Sequence, residues 1–274
     1  MARPRITTDP DQAEGAKPSR QFVTALARGL EVMDAFVPEG RPLGNQEIAA
    51  RTGLPKPTVS RIAYTLRELG YLVYETHSEK YRLGPRVLGF GQAFGAGMRV
   101  ADIAAEPMQA LADAARVTVA LGQADGTEMV YLVLRRSVSR IMLRQDVGSR
   151  IPIASTAMGM AYLHTLPERL RAAAVALVEA RLGEERDAFR ERLARTGNEM
   201  RERGYCVVAG SWDRGINGAA TALRRDDGES VLALNIGGPS FWLSEEDLYG
   251  QAGARLMETR KALLAAGITR LAPI

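Results

Sequence analysis

Residues 54–69 read LPKPTVSRIAYTLREL, and they carry the clearest periodic pattern in the chain. At 100° per residue, the apolar side chains fall in one arc of a helix; they are Val59, Ile62, Ala63, Leu66 and Leu69. The opposite arc holds Pro57, Ser60, Arg61, Tyr64 and Glu68, with Thr58 and Thr65 on its edge. The pattern predicts a helix that packs one face and presents short donors, one arginine and one aromatic ring on the other.

Two helices are predicted upstream of this segment. The first begins near Phe22 and ends at PEGRP, residues 38–42. Its apolar residues share one face at helical spacing: Leu26, Leu30, Met33 and Val37. The second helix is short, with Asn45 as its predicted N-cap, and it closes at residues 51–53.

A β-hairpin is predicted downstream. Leu72 and Tyr74 point to one side of a short strand, and Tyr81 and Leu83 answer them across a polar tip at residues 76–80. Helix, helix-turn-helix and hairpin follow one another within about 65 residues, which is the order of a winged helix-turn-helix. We therefore predict such a domain over residues 21–84.

A winged helix predicts contact with double-stranded DNA, because the major groove admits one α-helix. Arginine reads guanine with two hydrogen bonds, so Arg61 is the predicted base contact. DNA phosphates are predicted to bind short hydroxyl side chains, helix N-termini and the cations of the wing. The full predicted set is Asn45, Lys56, Thr58, Ser60, Arg61, Tyr64, Thr65, Lys80 and Arg82. The competing interpretation is an ordinary solvated helix face, which the net charge of +4 does not exclude.

The remaining segments complete the predicted organisation. Residues 1–20 are interpreted as a flexible tail and 85–99 as a glycine-rich linker helix that needs outside contacts to hold. Residues 100–274 alternate helices and strands and predict an α+β domain with a mainly antiparallel sheet. Strands are predicted at 117–123, 128–135, 140–145, 205–209, 216–223 and 230–236. Helices are predicted at 100–116, 155–165, 168–182, 187–203 and 244–266.

Composition and motifs argue against several classes of protein. With 46% hydrophobic residues among 274 the chain can bury a core, and it has no apolar run long enough to cross a membrane. Its one cysteine, Cys206, and the absence of a signal-peptide pattern predict a cytoplasmic location. His77 and His164 lack metal-ligand spacing, and no nucleophile elbow or phosphate-binding loop occurs. No catalytic residue, metal or cofactor is expected.

Short motifs resemble the isocitrate-lyase-regulator family, written IclR. They are LARGL at 26–30, LPKPTVSR at 54–61, YRLG at 81–84, VGSRIP at 147–152, STAMG at 155–159, RGY at 203–205 and IGGP at 236–239. The resemblance implies a linker helix and a GAF/PAS-like effector domain with a curved sheet after the winged helix. It also implies homodimers or dimer-of-dimers tetramers that act on palindromic operators of catabolic and stress genes.

The same resemblance implies where an effector binds. The matching positions are Ser155, Thr156, Ala157, Met158, Val208, Gly218, Asn235 and Gly237. Members that bind small acids carry Asp, Cys and Ser where this chain has Val208, Gly218 and Gly237. We therefore expect a bulkier, partly apolar effector such as an aromatic acid. Its predicted polar anchors are Asn235, Ser155, and Arg140 or Arg144, and its predicted walls are Met129, Tyr131, Leu143 and Trp212.

Three alternatives stay open from the sequence. For each predicted wall residue, the pattern favours an ordinary buried core over a ligand wall. The second domain is also compatible with a purely architectural role, in which the protein bridges DNA without sensing a ligand. A small-molecule enzyme is the remaining alternative, although the chain offers no partnered base for Ser155 or Ser211.

Overall fold

The computed structural model describes residues 21–37, 40–137 and 145–271, and the chain divides into two compact units. The N-terminal unit ends at Gly97 and the C-terminal unit begins at Met98. The predicted tail, residues 1–20, lies outside the described residues.

The N-terminal unit is a winged helix-turn-helix. Its elements are α1 (Thr24–Asp34), α2 (Asn45–Thr52), α3 (Lys56–Glu68), β1 (Leu72–Glu75), β2 (Lys80–Leu83) and α4 (Arg86–Ala96). Val32, Phe36, Ile48, Val59 and Leu72 form its buried centre. The turn between α2 and α3 depends on Gly53, whose φ of +72° is a left-handed conformation that glycine adopts without steric cost.

The hairpin register confirms the predicted wing. Leu72 pairs with Leu83 and Tyr74 with Tyr81, and the two tyrosine rings lie 5.0 Å apart. Leu43 also pairs with Tyr81, which attaches the segment before α2 to the wing.

Two details of the predicted N-terminal helices differ in the structure. Gly44, not Asn45, is the N-cap of α2, because the Glu47 carboxylate accepts the Gly44 N–H at 3.0 Å and fixes the turn one residue earlier. Only part of the predicted apolar face of α1 reaches the core: Met33 packs against it, whereas Leu26 and Leu30 remain 62% and 58% exposed.

The C-terminal unit is built on one antiparallel sheet. Its order is β5-β4-β3-β8-β7-β6. The strands are β3 (Thr118–Asp125), β4 (Glu128–Arg136), β5 (Arg150–Pro152), β6 (Cys206–Ala209), β7 (Ile216–Arg224) and β8 (Val231–Pro239). The helices are α5 (Arg99–Ala115), α6 (Ala157–Thr165), α7 (Glu168–Glu179), α8 (Arg186–Arg203), α9 (Glu245–Tyr249) and α10 (Gln251–Ala265). Two apolar cores flank the sheet, one beneath α5 and α10 and the other beneath α6 and α8. The arrangement confirms the predicted α+β class.

Three predicted C-terminal elements need correction or comment. The helix predicted at 244–266 is two helices, since Gly250 has a non-helical backbone (φ −99°, ψ −120°). The short edge strand β5 was not predicted, because three residues are too few for a periodic signal. The strand predicted at 140–145 falls almost wholly on residues outside the described part.

Candidate DNA interface and candidate effector cup

The outward side of α3 carries the side chains predicted to contact DNA. Lys56, Ser60, Arg61, Tyr64 and Thr65 are exposed, and Thr58 is half-buried. Within the described residues, neither Lys56 nor Arg61 has an ion-pair partner. Their cationic groups are therefore available to an anionic ligand.

The cations of the wing are held by carboxylates. Lys80 Nζ lies 3.2 Å from Glu47, and Arg82 Nε lies 3.2 Å from Glu75. The Gly44 N–H and the Arg41 and Lys80 side chains lower the pKa of Glu47 to about 2. The wing cations are thus positioned in advance, and a phosphate would compete with these carboxylates for them.

Asn45 lies near the start of α2 and is half-buried. Its Oδ1 is buried and accepts no hydrogen bond from the described residues.

An apolar groove lies beside α3, and the sequence reasoning did not anticipate it. Its volume is about 800 Å³. It is lined by Ala25, Leu26, Arg28, Gly29, Leu30, Met33, Thr58, Arg61, Ile62, Thr65, Leu66, Leu69, Tyr71 and Phe90. Arg61, Thr58 and Thr65 stand at its border, so the polar side of α3 and this groove are adjacent. We call it the apolar groove.

Helix α4 is unusual because none of its residues is buried in the single chain. Leu88, Phe90 and Phe94 are each about half to two-thirds exposed. The Phe90 ring stacks on Tyr71 at 5.9 Å, which joins α4 to the apolar groove.

A second candidate site lies on the face of the sheet that α6 and α8 cover. Strand partners point to the same face, so the register assigns two adjacent rows to it. The rim row is Arg136, Thr118, Gly237, Gly218 and Val208. The inner row is Leu134, Ala120, Asn235, Ala220 and Cys206. We call these ten residues the cup floor. Most of its side chains are small.

A β-bulge shapes the side of the cup floor next to β4. Leu121 pairs with Val133 but Gly122 pairs with Tyr131, so Leu132 is the extra residue. The bulge turns both Tyr131 and Leu134 towards the cup. Burial raises the pKa of Tyr131 to about 12, while a hydrogen bond with Asn235 opposes that rise.

The predicted effector residues at the start of α6 are largely committed to the fold. Thr156 caps α6 by accepting from the Gly159 N–H, and its hydroxyl donates to the Pro152 carbonyl at 2.7 Å. Ala157 and Met158 are buried, and the Met158 side chain lies against Gly122. Ser155 is half-buried.

The predicted walls are distributed around the same core. Met129 and Tyr131 are buried in the core on this side of the sheet, and Trp212 is partly buried against the same core. Leu143, Arg140 and Arg144 lie outside the described residues.

Three buried polar atoms distinguish this side of the sheet. Asn235 Oδ1, Arg136 Nε and Gln145 Oε1 have no hydrogen-bond partner in the described part of the chain. Arg136 was not among the predicted site residues. Its neighbour Arg135 is also basic, and only the strand register tells which of the two faces the cup.

Two known protein families match this chain. Residues 25–76 match the IclR helix-turn-helix domain, and residues 93–263 match the family described as bacterial transcriptional regulator IclR C-terminal. The chain belongs to the IclR family. The first matched region covers the winged helix from α1 to β1, and the second runs from the end of α4 through the sheet domain into α10.

Named relatives and solved structures agree with this assignment. This IclR chain is 34% identical over 233 residues to the HTH-type transcriptional regulator TsaQ1/TsaQ2 of Comamonas testosteroni, covering 84% of this chain and 83% of that one. An IclR family transcriptional regulator from Brucella abortus aligns with TM-score 0.82 at 40% identity, covering 90% and 94% of the two chains. The protein is therefore a DNA-binding transcription regulator.

A third neighbour shares the fold. An IclR homologue from Microbacterium hydrocarbonoxydans, complexed with 4-hydroxybenzoate, aligns with TM-score 0.65 at 20% identity. The alignment covers 90% of this chain and 98% of that chain.

Other reactive side chains of this IclR protein serve the fold. Burial raises the pKa of the Cys206 thiol, and Cys206 is fully buried on β6. His164 Nε2 lies 3.0 Å from the Thr196 hydroxyl, and burial lowers the pKa of His164. In the described ranges, no three His, Cys, Asp or Glu side chains are grouped to hold a metal ion. No described helix combines the length and apolar character required to cross a membrane.

Proposed function

We propose that this protein is an effector-responsive regulator of a catabolic operon that senses a small organic acid, with an aromatic acid as the best candidate. The observation that carries the sensing role is the unpaired Oδ1 of Asn235 on a floor of glycine, alanine and threonine. A buried acceptor without a donor costs free energy, and a ligand that donates to it recovers that cost. Ligand pockets combine apolar walls with a few such polar groups.

On the DNA side, the exposed ridge of α3 enters the major groove. Arg61 reads a base, because its guanidinium is exposed and free of a described carboxylate. Asn45, Lys56, Thr58, Ser60, Tyr64 and Thr65 surround it and hold the backbone, and Lys80 and Arg82 do so from the wing. Because phosphates must displace Glu47 and Glu75 from the wing cations, the wing contributes less to affinity than α3 does.

A second copy of this chain covers the apolar groove and α4, giving a homodimer on a palindromic operator, or a dimer of dimers. Monomers rarely expose contiguous apolar patches of this kind. Leu26, Leu30, Leu88, Phe90 and Phe94 are all large and all exposed in the single chain. A two-fold dimer also accounts for how one recognition helix per chain reads two half-sites.

On the sensing side, the effector lies on the cup floor. Gly218 and Gly237 are partners on adjacent strands, and Val208 is the partner of Gly218. Without polar side chains at these positions, the floor offers space for a ring and few hydrogen bonds for a very small acid. Tyr131 and Trp212 line its apolar side, together with Met129 on β4 and Met158 in the first turn of α6.

The test combines operator binding with thermal stability of the full-length protein. An operator is first selected from a random duplex pool, and we expect a palindrome. The probes are 4-hydroxybenzoate, benzoate and glyoxylate. We expect the aromatic acids to raise the melting temperature and to change operator affinity, because a ligand that binds the native state alone stabilises it. Tighter binding of glyoxylate would contradict the size argument.

The architectural alternative makes a different prediction in the same assay. A protein that only bridges DNA binds the selected duplex with one affinity whatever acid is added, and none of the acids shifts its melting temperature. Consumption of any probe, followed by chromatography, would favour the enzyme alternative.

A further inference from the structure

The rim row of the cup floor ends in a cation. Arg136 lies opposite Thr118, which lies opposite Gly237, so the three share the face that carries Asn235. In the two described rows of the cup floor, Arg136 is the only charged side chain. Its sequence neighbour Arg135 lies opposite Val119, on the other face of the sheet, and donates to the Leu134 carbonyl.

The partners of Arg136 leave part of its guanidinium unsatisfied. Nη2 donates to the Gln145 carbonyl and lies 2.9 Å from an Asp146 carboxylate oxygen. The Asp146 side chain is 79% exposed, and an ion pair in contact with water is weak. Nε is buried and has no acceptor among the described residues. Both Nη2 hydrogens are thus used, whereas the Nε donor is open to a carboxylate oxygen.

A second arginine in the same unit, Arg150, has carboxylate partners for its guanidinium. Arg150 lies 2.6 Å from Asp125 and 2.6 Å from Glu128, and both of these carboxylates hold it to the β3–β4 turn. Arg150 is thus neutralised by two carboxylates. Arg136 has one described carboxylate partner, and that partner is mostly in solvent.

We infer that Arg136 binds the carboxylate of the effector, while Asn235 Oδ1 accepts a hydrogen bond from a hydroxyl group on the same molecule. The inference rests on the proposed function, since it requires that the cup binds an effector. The chemical class is a ring-containing hydroxy acid. Arg136 and Asn235 lie two strands and one row apart, so about 12 Å separates their backbone positions. The carboxylate and the hydroxyl therefore stand at opposite ends of a ring rather than on adjacent atoms.

The assignment gives Arg136 Nε and Asn235 Oδ1 complementary partners. The carboxylate is acceptor-only and suits the free Nε donor of Arg136. A ring hydroxyl is a donor and suits the Oδ1 of Asn235, whose amide nitrogen faces Tyr131. The small residues Thr118, Gly237 and Ala120 lie between the two anchors and leave room for the ring.

The test compares an acid with its neutral amide. Calorimetry and thermal shifts are measured with 4-hydroxybenzoate and 4-hydroxybenzamide, which share the ring and the hydroxyl. Wild-type protein, Arg136→Gln and Arg135→Gln are compared, and the last has the same charge change on the opposite face. We expect wild type to bind the acid about 10- to 100-fold more tightly than the amide, as charge-assisted hydrogen bonds imply. Arg136→Gln should lose this preference while its amide affinity holds, and Arg135→Gln should keep the preference.

The hydroxyl anchor is tested with benzoate. Removing the hydroxyl should lower wild-type affinity about tenfold, and Asn235→Leu should abolish the difference between benzoate and 4-hydroxybenzoate. If wild type shows no preference for the acid, or if both arginine variants lose it equally, the inference is wrong, even if the cup binds neutral compounds. If neither the acids nor the amide stabilise the protein, the inference and the proposed sensing role fail together.

Discussion

The two units leave opposite kinds of group unsatisfied. The N-terminal unit exposes large apolar side chains, with Leu26 and Leu30 of α1 more than half in solvent. The C-terminal unit also exposes Phe241 and Trp242, but what distinguishes it is a sheet face on which Asn235 Oδ1 and Arg136 Nε are buried without described partners. An exposed apolar surface is matched by another protein surface, whereas enclosed polar atoms are matched by a small molecule. The exposed apolar side chains thus indicate a protein partner, and the buried unpaired polar atoms indicate a small-molecule ligand.

The largest effect is expected where the apolar groove is converted to a charged one. Leu30→Glu places a carboxylate in the proposed dimer contact, and desolvating that charge opposes association. We expect the dimer to dissociate and operator affinity to fall about 100-fold or more, in line with the loss of a central interface residue. Sedimentation velocity and operator titration measure the two outcomes.

Val37→Glu is the matched control for this change. Val37 is 48% exposed and does not line the apolar groove, so the same substitution there should leave the oligomer intact. If both variants keep the wild-type oligomeric state, another surface holds the copies together, and the exposed apolar face of the N-terminal unit is unexplained.

A smaller loss is expected from the polar border of the same groove. Arg61→Ala should weaken operator binding about 10- to 100-fold and relax the preference at one base pair. Arg67→Ala, on the same helix, should cost less than about threefold, because Arg67 is engaged by Glu68 at 2.7 Å and lies over the Tyr64 ring. Gel-shift titrations on the selected operator and its single-base variants compare them. If both variants lose operator affinity equally, Arg61 contributes only its positive charge and does not recognise a base.

The sequence predicted those parts of the molecule in which local periodicity sets the structure. The arc of Val59 and Ala63 is buried, and the pairing of Tyr74 with Tyr81 is as predicted. Periodicity does not say against what a face packs, so the apolar stripe of α1 gave no sign that it would stay in solvent. A stripe that joins two copies and a stripe that joins a core have the same spacing.

The effector cup was only partly predictable for a different reason. The positions Gly218, Asn235 and Gly237 came from the family resemblance, and strand register brings them together. Arg136 reaches the same face because β4 carries a bulge at Leu132, which shifts the alternation by one residue. Simple alternation from Tyr131 places Arg135 on the cup face, so a one-residue irregularity exchanges the two arginines. Such an irregularity leaves no mark in a pattern of apolar residues.

Asn235→Leu tests whether the unpaired amide serves binding rather than folding. Removing the unpaired Oδ1 favours the fold, whereas removing the hydrogen bond between Asn235 and Tyr131 opposes it, so the two effects offset each other. We expect the melting temperature of the ligand-free protein to stay within about 3 °C of wild type, which corresponds to roughly 1 kcal/mol in a domain of this size. The stabilisation by 4-hydroxybenzoate should be lost.

Asn217→Leu is the paired measurement. Asn217 is a buried residue on the neighbouring strand, and its amide donates to the Leu243 carbonyl at 2.9 Å. Losing that bond leaves a buried carbonyl unpaired, so we expect a destabilisation of about 1–3 kcal/mol. If the two variants are equally destabilised in thermal melts, Asn235 is a structural residue, and its unpaired Oδ1 no longer indicates a ligand site.

The smallest effect is expected on the wing, where charges are already paired. The pKa of Glu47 falls to about 2 from an ordinary value near 4.5, first because of the Gly44 N–H and then because of Arg41 and Lys80. A carboxyl whose pKa is lower in the folded state stabilises the fold above its unfolded pKa. That stabilisation should be complete above about pH 5.5 and should disappear between pH 4.5 and 2. Denaturant titrations of wild type and Glu47→Gln across this range should therefore give free energies of unfolding that converge as the pH falls.

Because Glu47 faces solvent, 1 M salt should reduce the difference in unfolding free energy at pH 6. A difference that is constant with pH would mean that the carboxylate does not hold the wing, and that Lys80 and Arg82 approach DNA as freely as the cations of α3.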